Sequence, residues 1–197
     1  MRLILASQSV TRRALLDAAG LEFEALPAAV DEAAIKESAQ AEGMPPADAA
    51  TLLADAKAAR VARKHPEAVI IGADQLLVSG GEWFSKPEDL GAARRQLLRL
   101  RGHAHELVTA VVVWRDGQRA WHHVATPRLV MRDFSDAFLD AYLAREGGFV
   151  TQSVGAYRLE GMGIQLMRDV RGEHSAILGL PLLPLLGYLR DTGDVAG

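Results

Sequence analysis

The chain has 197 residues, 49% of them hydrophobic, enough to bury one full core, and its formal net charge of −3 leaves no global basic field for duplex nucleic acid. It contains no cysteine, which excludes a disulfide framework and a thiolate metal site. Its longest apolar stretch, residues 176–186, is too short to span a bilayer and is broken by Pro181 and Pro184, so no membrane association is expected.

The chain opens on an apolar run, residues 3–6, with no basic segment followed by a long apolar one; a cytoplasmic protein without a secretion signal is expected. Small polar residues end that run, and a helical pattern over residues 11–19 follows at once and stops at Gly20. A short strand is expected over residues 23–26, then a loop carrying Val30, Asp31 and Glu32. Residues 33–43 are ambiguous, and Pro45-Pro46 breaks them off. Asp48 then caps a helix over residues 49–63, with Leu52, Leu53, Ala56 and Ala59 on one face. Residues 68–72 are wholly apolar and read as a central strand that runs into Ala73-Asp74-Gln75 and on through 76–78 to a Gly80-Gly81 turn. Lys86-Pro87 precedes a helix over 89–100 that Gly102 ends. Residues 106–114 and 119–131 flank Asp116-Gly117, the strongest hairpin signal in the chain. Ser135 caps a helix ending near Glu146, residues 154–163 are rich in glycine, 165–170 read as a strand, and Pro181 opens a last helix to about Arg190. With no repeat and no low-complexity linker, the chain reads as a single α/β domain.

The junction after the first strand is the most informative segment. The first turn of a helix leaves backbone N–H groups unpaired at the positive end of its dipole. Ser7 and Ser9 add hydroxyls there, and Arg12 and Arg13 add guanidinium groups, so the junction suits an anion, most simply phosphate. The same residues would also serve a serine-capped surface helix with two solvated arginines. Asp74, just beyond an apolar strand, stands where α/β proteins place catalytic groups; a carboxylate there can bind a hard cation or act as general base on water, or simply form a turn. Glu32 is a second loop carboxylate. Arginines number 18 and lysines four, which marks Lys57 and Lys86 as compact point charges, while Lys36 and Lys64 read as chance. The adjacent His122 and His123 point to opposite faces of a strand, and His103 and His105 lack a ligand-spacing partner, so no zinc site is expected. No nucleophile elbow and no Walker A sequence is present.

Taken together these segments resemble the Maf family of nucleoside triphosphate pyrophosphatases along nearly the whole chain. Ser7-x-Ser9-x-x-Arg12-Arg13, Val30-Asp31-Glu32, the Lys57 helix, Gly72-Ala73-Asp74, Lys86-Pro87, Gly102-x-x-His105-x-x-x-Thr109, Gly155-Ala156-Tyr157 and Gly179-Leu180-Pro181-Leu182 occur in the family's order. The resemblance implies a mixed twisted sheet with flanking helices, two lobes around a cleft as in inosine triphosphate pyrophosphatases. It also implies hydrolysis of a nucleoside triphosphate to monophosphate and pyrophosphate with Mg²⁺ or Mn²⁺, and a homodimer. Asp74 matches the family's proton acceptor. Glu32 and Asp74 would bind the metal, Ser7, Ser9, Arg12 and Arg13 the phosphates, and Lys57 and Lys86 the charge of the leaving group. Gln75 and Glu160 look like the branch acting on 7-methyl-GTP, and Glu160 would accept hydrogen bonds from a guanine edge. Thr11 stands where that branch carries an aromatic residue, and Val10 where the family has proline. A different class, a non-catalytic nucleotide-binding regulator of cell division and septum formation, would use the same pocket but be expected to lose part of the set Glu32, Lys57, Asp74 and Lys86.

Overall fold

Strand β1 (Leu3–Leu5) is buried along its whole length, as the unbroken Leu-Ile-Leu run requires of a strand covered on both faces. A computed structural model describes residues 2–196. The remaining strands are β2 (Glu24–Ala25), β3 (Val69–Ser79), β4 (Glu82–Phe84), β5 (Ala104–Arg115), β6 (Gln118–Ala125), β7 (Arg128–Met131) and β8 (Met167–Arg171). The helices are α1 (Val10–Ala18), α2 (Glu32–Ala41), α3 (Pro46–Ala62), α4 (Leu90–Leu100), α5 (Asp136–Glu146), the single turn α6 (His174–Ile177) and α7 (Leu182–Asp191). The class is α/β, with eight strands in a mixed sheet and helices flanking it. Among the described residues no helix is long and apolar enough to cross a membrane.

The chain divides into two compact units: Met1–Gln75, Thr109–Ala125 and Glu173–Gly197 form the first, and Leu76–Val108 with Thr126–Gly172 form the second. In the first, β1 pairs in parallel with β2 and with β3, Leu3, Ile4 and Leu5 standing opposite Val69, Ile70 and Ile71. Alternation along the strands then sorts side chains to two faces. Leu3, Leu5, Val69, Ile71, Ala73, Val111 and Val113 pack with Leu16 of α1 and with Leu180, Leu185 and Leu189 at and within α7. The opposite face carries Ile70, Gly72 and Asp74 toward α3. A Cβ at Gly72 would collide with the Ala54 carbonyl and lie 2.9 Å from the Ala58 Cβ, so the missing side chain is what lets α3 approach β3 so closely.

In the second unit, Gly80 and Gly81, both at positive φ, turn the end of β3 into β4. The first residues of β5 pair antiparallel with β7, and β7 with β8. The segment after α5 is bound to its surroundings at three points. Tyr142 donates to the Ala156 carbonyl, Ser153 exchanges hydrogen bonds with the Tyr157 backbone, and the buried Glu146 accepts from Arg158 Nε and Nη2 and from the Met162 N–H.

Four local expectations are corrected. Glu32 is not in a loop: Asp31 caps α2 and Glu32 is its first residue, because the Asp31 carboxylate accepts from the Ala34 N–H. Pro45-Pro46 starts α3, since proline fits the first helical position, and Asp48 lies in its first turn. Asp74 does not follow a strand but lies inside one, β3 running unbroken through Gln75. The predicted long return strand stops at Ala125, and Arg128–Met131 form a separate strand beyond Pro127.

Candidate active site

Ser7 closes the junction expected after β1. It is buried, and its Oγ accepts from the Ser9 N–H at 3.1 Å and from Arg12 Nη1 at 3.4 Å. Ser9 caps α1, accepting from the Arg12 N–H at 3.3 Å. Arg12 and Leu16 lie one turn apart on the buried face of α1. The Arg12 guanidinium is anchored by Nε to the Gly179 carbonyl at 2.7 Å, and Gly179 has a φ of +101° that a residue with a Cβ rarely adopts. Nη2 makes no hydrogen bond with a described residue. Burial lowers the Arg12 pKa from its ordinary value, opposed by the negative charges of Asp74 and Glu32. Arg13, about 100° round the helix, is exposed, and Thr11 is half-buried.

Although Asp74 is mid-strand, its neighbour β1 ends opposite Ile71, so β3 carries Asp74 three residues beyond the last parallel pair. The sequence signal of a strand end is therefore met by β1. On the α3 side, Lys57 Nζ lies 2.5 Å from Asp74 Oδ1 and 2.8 Å from Glu32 Oε1. The Lys57 and Asp74 side chains are 9% and 5% exposed, whereas Glu32 is 44% exposed. A buried ion pair returns its desolvation cost only when every polar atom is matched. Here Asp74 Oδ2 is buried with no hydrogen-bond partner among the described residues. An orphaned carboxylate oxygen beside a half-exposed glutamate is a strong acceptor kept in reserve for a water or a hard cation.

Ser7, Ser9, Arg12, Glu32, Lys57 and Asp74 thus gather in the first unit, where two buried cations face two carboxylates. Gln75 is also there, but on the opposite face of β3. Its Nε2 donates to Thr109 Oγ1 at 2.8 Å and to the Ala176 and Ile177 carbonyls at 3.0 and 3.1 Å. Lys86 and Glu160 belong to the second unit; both are exposed, Lys86 in the loop that Pro87 stiffens and Glu160 between the residues that Glu146 binds. No sequence signal marks Glu146, a helix-terminal glutamate like many solvated ones. None marks the meeting of buried His105 Nε2 with the Tyr157 hydroxyl at 2.8 Å. No group of three histidine, aspartate or glutamate side chains able to hold a metal occurs among the described residues.

Parallel pairing of β1 with β2 and β3, with polar groups collected at the carboxyl end of β1, is an arrangement in which α/β proteins place ligand sites at a strand–helix junction. Comparison with known proteins gives the particular family. Residues 2–192 match the family model described as Maf-like protein, and the chain belongs to the Maf family. It is 56% identical over 190 residues to the nucleoside triphosphate pyrophosphatase of Granulibacter bethesdensis, covering 96% of each chain. It is 51% identical to the protein of the same name from Rhodospirillum rubrum, covering 96% of this chain and 94% of the relative. Identity to the 7-methyl-GTP pyrophosphatase of Brucella abortus is 47%, with 96% of each covered.

Proposed function

We propose that this protein hydrolyses a nucleoside triphosphate to the nucleoside monophosphate and pyrophosphate. The observation that carries the reading is the Lys57 bridge between Glu32 and Asp74, which leaves Asp74 Oδ2 buried and unpartnered beside the Arg12–Ser7 junction. Ser7, Ser9 and the first turn of α1 bind phosphate oxygens, with Arg12 as their fixed cation and Arg13 as a mobile outer one. Asp74 Oδ2 takes a proton from water as the water oxygen bonds to the α-phosphorus; the bond from that phosphorus to the bridging oxygen breaks and pyrophosphate leaves. Lys57 holds Asp74 through Oδ1 so that Oδ2 points to the water.

The donor set fits a divalent cation. Two hard carboxylates suit Mg²⁺ or Mn²⁺, with phosphate oxygens and water as the remaining ligands. The charge count favours one too, because the two buried cations are already balanced by Glu32 and Asp74 before a triphosphate arrives. Bound there, the ion would polarise the phosphoryl group and the attacking water. The substrate favoured is 7-methyl-GTP. Supporting this are the name of the Brucella relative and the identities of Gln75 and Glu160, which resemble those of the 7-methyl-GTP branch. The homodimer and the cytoplasmic location are part of the same proposal. The partly buried Trp121, stacked on Tyr188 at 5.0 Å, and the 71% exposed Leu183 supply apolar surface for self-association, and a monomeric mass by light scattering at micromolar concentration would refute it.

Pyrophosphate release is measured across 7-methyl-GTP, GTP, dTTP and UTP with Mn²⁺ and with a chelator. Metal-dependent release is expected, with 7-methyl-GTP ahead of dTTP by about a hundredfold, the scale of a mismatched polar edge. Preference for dTTP or UTP would overturn the base assignment. Tight binding without release would instead favour the division-regulating nucleotide binder.

A further inference from the structure

Gln75 is one residue from Asp74, yet the two face opposite ways from β3, and Gln75 is turned inward. Its amide nitrogen has two protons and three acceptors within 3.1 Å: Thr109 Oγ1 and the carbonyls of Ala176 and Ile177. Thr109, fully buried on the same face of β5 as Val111 and Val113, donates its own hydroxyl to the Ala176 carbonyl at 3.0 Å. Two strand side chains therefore pin the carbonyls of α6. That turn ends two residues later at Gly179, held in place by its N–H to the Ala176 carbonyl and by the Leu180 N–H to the Ser175 carbonyl. The Gly179 carbonyl accepts from Arg12 Nε, and a Cβ on Gly179 would stand 3.3 Å from that same nitrogen. A continuous chain of hydrogen bonds, part-buried at Gln75 and buried at Thr109 and Arg12, thus runs through the 176–179 turn to the guanidinium.

We propose that Gln75 is a positioning residue that, with Thr109, fixes the 176–179 turn so that the Gly179 carbonyl aims the Arg12 guanidinium at the phosphates. Arg12 is itself a long side chain with several torsions, and only Nε and Nη1 are tethered by the protein. Releasing the Nε tether restores rotamer freedom that phosphate binding must then remove. Both amide protons of Gln75 are spent on protein acceptors, which ties the side chain to the turn.

The inference rests on the reading that Arg12 binds phosphate, and a ligand without a base separates the two. Affinity for inorganic pyrophosphate with Mn²⁺ is measured for wild type, Gln75→Leu, Thr109→Val, Arg12→Ala and Gln75→Leu/Arg12→Ala. Gln75→Leu is expected to weaken pyrophosphate binding by about tenfold, the scale of one misdirected charge-assisted hydrogen bond. Thr109→Val should act in the same direction and carries the test if Gln75→Leu does not fold. The double variant should bind no more weakly than Arg12→Ala alone, and the ratio of kcat/KM between 7-methyl-GTP and dTTP is measured alongside in Gln75→Leu. A merely structural role would lower the melting temperature and leave the pyrophosphate affinity of folded protein as it was, which overturns the proposal. So does a changed base ratio with unmoved pyrophosphate affinity, or a double variant weaker by the sum of the two effects. If Arg12→Ala alone binds pyrophosphate like wild type, the phosphate assignment fails and takes this inference with it.

Discussion

Asp74 has one carboxylate oxygen committed and one idle. Oδ1 is 2.5 Å from Lys57 Nζ, and Oδ2 is buried with no partner among the described residues. A purely structural ion pair would be expected to use both oxygens, because an unmatched buried acceptor costs about 1–3 kcal/mol. Asp74→Asn keeps the shape and removes the base. Turnover should fall by about a hundredfold or more, the usual scale for a lost general base. Nucleotide binding should persist or tighten, since one negative charge is gone. Turnover equal to wild type in a steady-state assay would remove Asp74 from the chemistry. At this scale much was legible in the sequence. Ser7, Ser9, Arg12, Lys57 and Asp74 were singled out by residue type at a strand–helix junction and by order along the chain, and the structure gathers them with Glu32 in one unit. The side chains that were not legible are those whose partners lie far away in the chain. Arg12 meets Gly179, and Gln75 meets residues 176 and 177, across separations of 167, 101 and 102 residues that no local pattern encodes.

At the scale of elements, propensity located most helices and strands, and competing effects moved their ends. Asp116-Gly117 gave the β5–β6 hairpin, with both residues at positive φ as a tight turn needs. Proline misled twice in opposite directions: Pro45-Pro46 begins a helix where a break was expected, and Pro127 ends a strand expected to continue. Asp74 seemed to end a strand because an acidic residue in a central strand is rare, but its Lys57 partner makes the position tolerable. The close approach of α3 to β3 is what delivers Lys57 to Asp74, and Gly72 permits it. Gly72→Ala would place a methyl group against the Ala54 carbonyl, forcing the helix away. A loss of about 1–3 kcal/mol is expected, the range for overpacking a core, together with reduced turnover as Lys57 withdraws. Chemical denaturation checks the first and steady-state kinetics the second; unchanged values for both would show that the contact is not limiting.

At the scale of the molecule, acid should act through the second unit as well as the first. Burial of His105 lowers its pKa to about 4 from the ordinary 6.5, and the Tyr157 hydroxyl meets Nε2 while Nδ1 is buried without a hydrogen-bond partner among the described residues. The folded protein therefore holds this imidazole neutral, whereas the unfolded chain takes up a proton below about pH 6.5. The stabilisation is complete above that value. It is lost as pH falls toward 4, amounting to about 3 kcal/mol over the window by the linkage of 1.36 kcal/mol per unit. Denaturant midpoints between pH 7 and 4 should show this fall, and His105→Gln should flatten it while keeping a neutral partner for Tyr157. An identical slope in the variant would contradict the assignment.

In the proposed reaction, water attacks the α-phosphorus of a nucleoside triphosphate at a site built on Asp74, Lys57 and Glu32. Turnover of 7-methyl-GTP in ¹⁸O-labelled water with Mn²⁺, with the products resolved by mass spectrometry, tests it directly. One labelled oxygen in the nucleoside monophosphate and none in the pyrophosphate is the predicted result. Label in pyrophosphate, or release of orthophosphate and a nucleoside diphosphate, would contradict it.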